Sequence, residues 1–306
     1  MSVPILVTAF CRPALTIKAI SVIKELKPDS EIVVSQDGKI PGFYENEHDI
    51  TRRALIELAR KYPQVRLNLR DINLGFTQHL IDVLQDIFKS HNSAIFLEED
   101  MQICGKGLTF LESIENDLGV SHRSAYSTTG HPQNNDPMAF RLSYFPEQWG
   151  ISINTATFER FVEENAKKQI NRRTVRNVVG GVRFGKLKSE FLVDFWTDLL
   201  RQEINSPHGW DALLQWTLWK NQSPSKVSLE SHIIDLGGGI GAITSRAKVE
   251  SLSQITNLTH SKTTGLCVCC EQQDAARRRF SAFSQLRART QLRTRVKTFL
   301  ELQKFK

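Results

Sequence analysis

Short apolar runs alternate with helical patterns over the first third of the chain, and this alternation is the feature that most constrains the fold. Four runs have the length of strands: "PILVTAF", "EIVVSQDG", "VRLNLRD" and "SAIFLEED". Patterns typical of amphipathic helices follow the first three, at residues 13–26, 48–62 and 76–91. This order indicates parallel strands joined by crossover helices. We therefore predict an α/β, Rossmann-like fold with a mostly parallel central sheet flanked by helices.

The pattern is less regular after residue 100. Strand candidates occur in "SAYSTTGH", "AFRLSYF" and "WGISIN", and helices are expected at 188–204 and 210–221. A composition change near residues 262–275 marks the predicted domain boundary. We expect one domain over residues 1–262, followed by a cysteine-containing linker and a basic helical tail over 263–306.

The positive charge of the chain is concentrated in that tail. The 306 residues carry a net charge of +7. Residues 277–306 contain ten lysines and arginines against one glutamate, so the tail carries +9 and the remainder −2. Such a distribution gives no reason to expect a nucleic-acid site in the main domain, because the basicity does not belong to it.

Three features of the sequence bear on where the protein is located. It has no apolar run of about eighteen residues and no signal-peptide pattern at its start, and its five cysteines do not suggest a disulfide framework. We expect a cytoplasmic protein. The tail 277–306 spaces apolar residues among arginines, which suits peripheral contact with the inner face of a membrane. Disorder and packing against a partner remain open alternatives for the tail.

Charged residues follow three of the predicted strands. Arg12 follows the first, Asp37 the second, and the triplet Glu98, Glu99 and Asp100 the fourth. The carboxyl ends of parallel strands meet at one edge of the sheet, where open α/β sheets bind ligands. A divalent cation would relieve the repulsion within the triplet and could bridge a diphosphate. Together these residues predict a nucleotide-diphosphate site.

Five sequence blocks, in order, resemble a known family. "PILVTAFCRP", "VSQDG", "IFLEEDMQI", "SYFPEQWGISI" and "GWDALL" are similar to blocks of nucleotide-sugar glycosyltransferases of the GT-A fold, and look closest to N-acetylglucosaminyltransferase I and its bacterial relatives. The resemblance covers roughly residues 4–245. It implies a metal-dependent enzyme that transfers a sugar from a UDP-sugar to a hydroxyl group of a glycan or lipid-linked acceptor, with inversion.

The resemblance also implies roles for individual residues. Arg12 and Asp37 would hold the nucleotide, Glu98 and Glu99 would lie against the ribose and donor sugar, and Asp100 would contact Mn²⁺ or Mg²⁺. The family triplet usually reads Glu-Asp-Asp, so Glu99 departs from it. Asp211 would be the general base. Trp210 could stack on a sugar face, since aromatic rings suit such surfaces. Without the resemblance, Asp211 could equally be a helix cap.

The glycines of "IIDLGGGIGAIT" permit two interpretations. Gly237, Gly238, Gly239 and Gly241 could form the cofactor loop of an S-adenosylmethionine methyltransferase, but no acid follows about twenty residues later to bind a ribose. In the glycosyltransferase interpretation the same segment, with Gly238 and Gly239, closes over the bound diphosphate. A turn without a ligand is the third alternative.

Two further features leave questions open. His260, Cys267, Cys269 and Cys270 are four nominal zinc ligands, but the paired Cys-x-x-Cys spacing is absent. A non-catalytic module that binds nucleotide sugars would share most of the predicted site and differ only in its use of Asp100 and Asp211.

Overall fold

The structure is a computed structural model of the chain. It describes residues 3–116, 120–126, 139–143, 146, 148–167, 169–181, 190–206 and 209–236. The predicted tail, the linker and the glycine segment from residue 237 onward lie outside these ranges, as do His260 and the three late cysteines.

The described residues form an α/β arrangement of eight helices and ten strands. The helices are α1 (Pro13–Leu26), α2 (Glu45–Lys61), α3 (Phe76–Ile87), α4 (Gly105–Glu112), α5 (Thr155–Ala166), α6 (Arg172–Gly181), α7 (Glu190–Ile204) and α8 (Asp211–Lys220). The strands are β1 (Ile5–Ala9), β2 (Ile32–Gln36), β3 (Val65–Leu69), β4 (Ser93–Glu98), β5 (Met101–Ile103), β6 (His122–Ser124), β7 (Phe140–Ser143), β8 (Ile151–Asn154), β9 (Ser225–Ser228) and β10 (Ile233–Asp235).

Eight strands form the central sheet in the order β3-β2-β1-β4-β8-β6-β9-β7. The first four are mutually parallel, whereas β8 is antiparallel to both of its neighbours, β4 and β6. The chain moves outward from β1 to β3 and then returns to the other side of β1 as β4. The gap between the ends of β1 and β4 is therefore a topological switch point, the usual place for a ligand in an open α/β sheet.

Two hydrophobic cores cover the two faces of the sheet. Alternate residues of a strand point to opposite faces, and β1 shows this directly. Ile5 and Val7 belong to the core packed under α1, α2 and α4, while Leu6 belongs to the core that includes residues of α3, α5, α6, α7 and α8. Burial on both faces explains why β1, β2 and β4 read as continuous apolar runs.

The elements predicted up to residue 100 are all confirmed. The strands expected within 139–145 and 149–154 and the helices expected at 188–204 and 210–221 are also present, as β7, β8, α7 and α8. The strand predicted in "SAYSTTGH" is corrected: β6 ends at Ser124, where that stretch begins, and residues 127–138 lie outside the described ranges. Helices α4, α5 and α6 were not predicted. The sheet is mixed, with three antiparallel pairs. Among the described helices none has both the length and the apolar character needed to cross a membrane.

Candidate active site

Arg12 lies between two members of the acidic triplet at the switch point. Its Nε donates to Oε1 of Glu99 at 2.7 Å, and its Nη1 donates to Oδ2 of Asp100 at 2.9 Å. The side chains of Arg12 and Asp100 are 14% and 13% exposed, so each still reaches solvent. Burial lowers the pKa of the Arg12 guanidinium, but the charges and hydrogen bonds of Glu99 and Asp100 outweigh this effect and keep the pKa above its usual value. The sequence analysis did not anticipate this ion-pair network.

Glu99 is the buried anchor of the network, with only 4% of its side chain exposed. Its Oε2 accepts hydrogen bonds from Phe10 N at 2.9 Å and from Thr16 Oγ1 at 2.6 Å. Burial raises the pKa of the Glu99 carboxyl, and Arg12 is the strongest interaction opposing that rise. Glu99 thereby ties the end of β4 to the start of α1. Both of its oxygens are engaged by the protein here, so the contact with a donor sugar stays a prediction.

Asp37 organises the neighbouring loop. Its Oδ1 accepts from Gly38 N at 2.8 Å and from Leu74 N at 3.0 Å, which joins the end of β2 to the segment after β3. Gly38 is required there, since a Cβ atom would lie 2.2 Å from the carbonyl carbon of Ile72. The Asp37 side chain is buried, and its predicted contact with a nucleotide stays untested.

The buried side chain of His79 lies next to Asp37. Nδ1 of His79 lies 3.8 Å from Oδ1 of Asp37, and Nε2 of His79 is 3.0 Å from Oγ of Ser35. Burial lowers the pKa of His79, although the Asp37 charge opposes this. A neutral imidazole is therefore expected at neutral pH, which leaves the negative charge of Asp37 without a full counter-charge from His79.

A two-stranded ribbon continues from the acidic triplet. Strands β5 and β10 pair antiparallel, with Met101 opposite Asp235. Just beyond them, Leu236 N donates to Asp100 O at 2.8 Å. The chain thus enters the glycine segment directly beside the acidic triplet. Gly238 and Gly239 themselves lie outside the described residues, and their predicted closure over a diphosphate is not tested.

The same ribbon counts against the methyltransferase alternative. A dinucleotide-type glycine loop follows a strand of the parallel sheet and opens a helix. Strand β10 precedes the glycines here, but it belongs to the separate ribbon and runs antiparallel to β5. Strand β10, which precedes the glycines in the chain, is therefore not the strand of the parallel sheet that a cofactor loop of this kind follows.

Trp210 is a core residue, and its stacking on a sugar face stays a prediction. Only 5% of the residue is exposed. The indole packs edge-on against Phe96 of β4, with ring centroids 5.1 Å apart, and also lies near Phe76 of α3. Trp210 fixes the start of α8 against the sheet.

Asp211 opens α8 and is exposed to solvent. The surrounding protein nevertheless removes part of the water around its carboxyl group, and this desolvation raises the pKa of Asp211, while its own backbone N–H and that of Trp210 act the other way. Glu203, near the end of α7, stands next to it. Burial, and then the charge of Asp211, raise the pKa of Glu203 to about 7. The sequence analysis did not identify Glu203.

Contacts from β4 and α3 hold the start of α8, where Asp211 lies. Thr77 Oγ1, in the first turn of α3, donates to Gly209 O at 2.6 Å. Helix α3 begins just beyond the end of β3, and Phe96, which contacts Trp210, lies two residues before the end of β4. The start of α8 is therefore held near the carboxyl end of β4 and the first turn of α3.

The donor set for a divalent cation is sparse. In the described ranges, no three His, Cys, Asp and Glu side chains gather into a metal site. Asp100 offers a carboxylate at the switch point, but its Oδ2 is paired with Arg12. Mg²⁺ is commonly held by one or two carboxylates together with phosphate oxygens and water. These residues fit a cation that arrives with a diphosphate, and they do not fit one held by protein ligands alone.

Comparisons with known proteins add a limited finding. No protein-family model and no curated protein sequence matches the chain. Similar solved structures include the mannosyltransferase PcManGT from Pyrobaculum calidifontis in complex with GDP-Man and Mn²⁺, at 12% identity and a TM-score of 0.40, over 71% of this chain and 74% of that one. Residues 1–349 of TarS from S. aureus match at 12% identity and a TM-score of 0.40, over 76% of this chain and 60% of that one. Scores this low assign no function to the chain, and the narrower resemblance to N-acetylglucosaminyltransferase I stays a prediction from the sequence.

Proposed function

We propose that this protein is a metal-dependent glycosyltransferase, which transfers a sugar from a UDP-sugar to a hydroxyl group with inversion at the anomeric carbon. One observation carries the proposal. An arginine and carboxylates meet at the topological switch point, and an accessible carboxylate of raised pKa opens α8, whose preceding residue Trp210 packs against Phe96 near the end of β4. The arginine and carboxylates at the switch point suit binding of a diphosphate and its cation, and the carboxylate of Asp211 suits acceptance of a proton.

The donor would bind across the carboxyl ends of β1, β2 and β4. Arg12 reaches solvent and carries a fixed positive charge that can meet phosphate oxygens, since a guanidinium pairs well with them. Asp37 would face the nucleoside, and Glu98, at the end of β4, the ribose or sugar. Glu99 would hold the Arg12 side chain in place by accepting a hydrogen bond from its Nε.

Asp100 would hold Mn²⁺ or Mg²⁺ together with the diphosphate. When bound, the cation supplies positive charge to the leaving diphosphate. The glycine segment that begins after Leu236 would then cover the phosphates, because it leaves the ribbon beside Asp100.

Asp211 would act as the general base. A carboxylate whose pKa lies above its ordinary value is a stronger base and accepts a proton more readily from an attacking hydroxyl. The hydroxyl oxygen forms the new bond to the anomeric carbon while the bond to the diphosphate breaks, and the proton passes to Asp211. A single displacement of this kind inverts the anomeric centre.

The surroundings of the reaction are part of the proposal. We place the protein in the cytoplasm, with residues 277–306 in contact with the inner face of the membrane and a glycan or lipid-linked molecule as acceptor. The test compares the binding of the full chain and of a chain lacking residues 277–306 to anionic vesicles. Loss of binding on deletion would support the membrane contact, and unchanged binding would exclude it.

A thermal-shift panel tests the proposed donor. UDP, GDP, CMP, dTDP and S-adenosylmethionine are each added with and without Mn²⁺ to the wild type, to Asp100→Ala and to Asp29→Ala, an exposed acid in the loop after α1, far along the chain from the triplet. At about a hundred times its dissociation constant a ligand adds about 2.7 kcal/mol, or several degrees of midpoint. We expect a Mn²⁺-dependent shift with UDP that Asp100→Ala loses and Asp29→Ala keeps. A shift with S-adenosylmethionine alone would contradict the proposal.

A further inference from the structure

Helix α8 begins without a cap of its own. Trp210 occupies the cap position, and no side-chain hydrogen bond is made from it. The first N–H groups of a helix have no partner within the helix and need an acceptor from elsewhere. Glu203 supplies it from the end of α7, since its Oε2 accepts from Leu213 N at 3.0 Å. The helix that carries Asp211 is thus held by a carboxylate from another helix.

Gly209 shows how closely the two segments approach. A Cβ atom at this position would lie 2.7 Å from Cγ of Glu203 and 2.9 Å from its Cα. No other residue type fits without displacing the backbone of α7. The position of Glu203 relative to the first turn of α8 is therefore fixed by packing as well as by the hydrogen bond.

The electrostatic interaction at this place is between the carboxylates of Glu203 and Asp211. After burial, the charge of Asp211 raises the pKa of Glu203, and the exposed Arg201 lies two residues earlier on α7. The backbone N–H groups of Leu213 and Ala212 partly offset the repulsion. Repulsion between two carboxylates is mutual, and it is felt by the group that ionises second.

We propose that Glu203 is the positioning residue of the base: it holds the first turn of α8 in place, and its negative charge makes Asp211 a stronger proton acceptor. This inference rests on the proposed function, in which Asp211 takes the proton of the acceptor hydroxyl. Glu203 touches neither donor nor acceptor in this account and acts only through Asp211.

The proposal predicts a step in the pH profile. As Glu203 ionises near pH 7, its charge raises the proton affinity of the neighbouring Asp211, so kcat of the wild type rises through that pH. Glu203→Gln keeps an oxygen that can accept from Leu213 N but has no charge. We expect this variant to lack the step and to show kcat roughly tenfold lower above pH 7, with KM for the donor unchanged.

A second readout needs no turnover. Because the folded pKa of Glu203 lies above the ordinary 4.5, the native state binds the proton more tightly than the unfolded chain. The stability that this group contributes is therefore full below about pH 4.5 and is lost as pH rises through 7. Between pH 5 and pH 8 the unfolding constant of the wild type should rise by roughly fifty- to hundredfold relative to that of Glu203→Gln, and this difference should shrink in an Asp211→Asn background.

The matched control is Glu163→Gln, the same substitution at an exposed position of α5. It should alter neither the pH profile nor the pH dependence of unfolding. If the wild type transfers no sugar from any nucleotide donor, the proposed function fails, while the unfolding measurement still reports on the carboxylate pair. If Glu203→Gln matches Glu163→Gln in unfolding between pH 5 and pH 8, or if kcat falls equally at every pH, the inference about Glu203 is wrong.

Discussion

Two pairs of carboxylates lie close together in this molecule, and they differ in what stands beside them. Glu99 and Asp100 share the guanidinium of Arg12, with both ion pairs under 3 Å. Glu203 and Asp211 have only backbone N–H groups against their charges in the described part of the chain, and both pKa values are raised. Glu99 and Asp100, the neutralised pair, suit the binding of charged groups. Glu203 and Asp211, the crowded pair, suit proton transfer. Neighbouring charge, rather than residue type, separates the two roles.

The largest expected effect comes from removing the charge of the accessible member of the crowded pair. Asp211→Asn keeps the shape of the side chain but cannot take a proton, so kcat should fall about 10²- to 10⁴-fold. Donor affinity should stay within about threefold, since Asp211 is not part of the proposed donor site. Initial rates and donor titrations at pH 7.5 measure both. A variant that binds and turns over like Asp29→Asn would show that Asp211 is only a helix residue.

Removing Arg12, which neutralises Glu99 and Asp100, should lower the free energy of unfolding. Arg12→Ala leaves Glu99 buried without its cation, and removal of one partner of a buried pair typically costs about 3–5 kcal/mol. Urea unfolding measures the loss.

The control for this variant is Arg60→Ala, because Arg60 pairs with Glu57 at the surface, where both side chains are about 70% exposed. Such an exposed pair contributes about 0–1 kcal/mol. Equal losses for the two arginines would mean that the ion pairs of Arg12 add nothing beyond a surface contact.

A smaller effect is expected at the neighbouring loop. Asp37→Ala removes the acceptor for Gly38 N and Leu74 N, and each unpaired buried donor costs about 1–3 kcal/mol. Asp37→Asn should cost less, because one acceptor oxygen remains. Hydrogen exchange at Leu74 should accelerate in Asp37→Ala. Unchanged exchange there would contradict the organising role given to Asp37, and Asp71→Ala, at an exposed acid nearby, is the control.

The first four strands and three helices could be predicted because local patterns determine them. Strands β1, β2 and β4 are apolar runs buried on both faces, β3 alternates apolar and polar residues at the edge of the sheet, and each helix has one apolar stripe. Helices α4, α5 and α6 were missed, although α5 and α6 carry readable start signals: Asn154 accepts from Thr157 N at the start of α5, and Asn171 from Arg173 N at the start of α6. In α4, Gly105 and Gly107 weaken the helical pattern, and Gly107 is needed because a Cβ would meet His232 at 2.6 Å.

The positions of the candidate residues in the fold were predicted, but their contacts were not. The position of Arg12, Asp37 and the triplet at strand ends follows from the parallel order of the sheet. That Arg12 bridges Glu99 and Asp100, 87 and 88 residues away, depends on the pairing of β1 with β4. The burial of Trp210 depends on Phe76 and Phe96, more than a hundred residues earlier. Glu203 is a lone acid in a helix, and no sequence signal connects it with Asp211.

The most direct test of the account separates binding from turnover in one experiment. UDP-sugar affinity and the rate of UDP release at saturating donor are measured with Mn²⁺ on the wild type, Asp100→Ala and Asp211→Asn. The account predicts that Asp100→Ala loses Mn²⁺-dependent donor binding, while Asp211→Asn binds the donor normally and releases UDP at least a hundredfold more slowly, roughly the smallest loss expected for a missing general base. Normal donor binding by Asp100→Ala together with full UDP release by Asp211→Asn would contradict it.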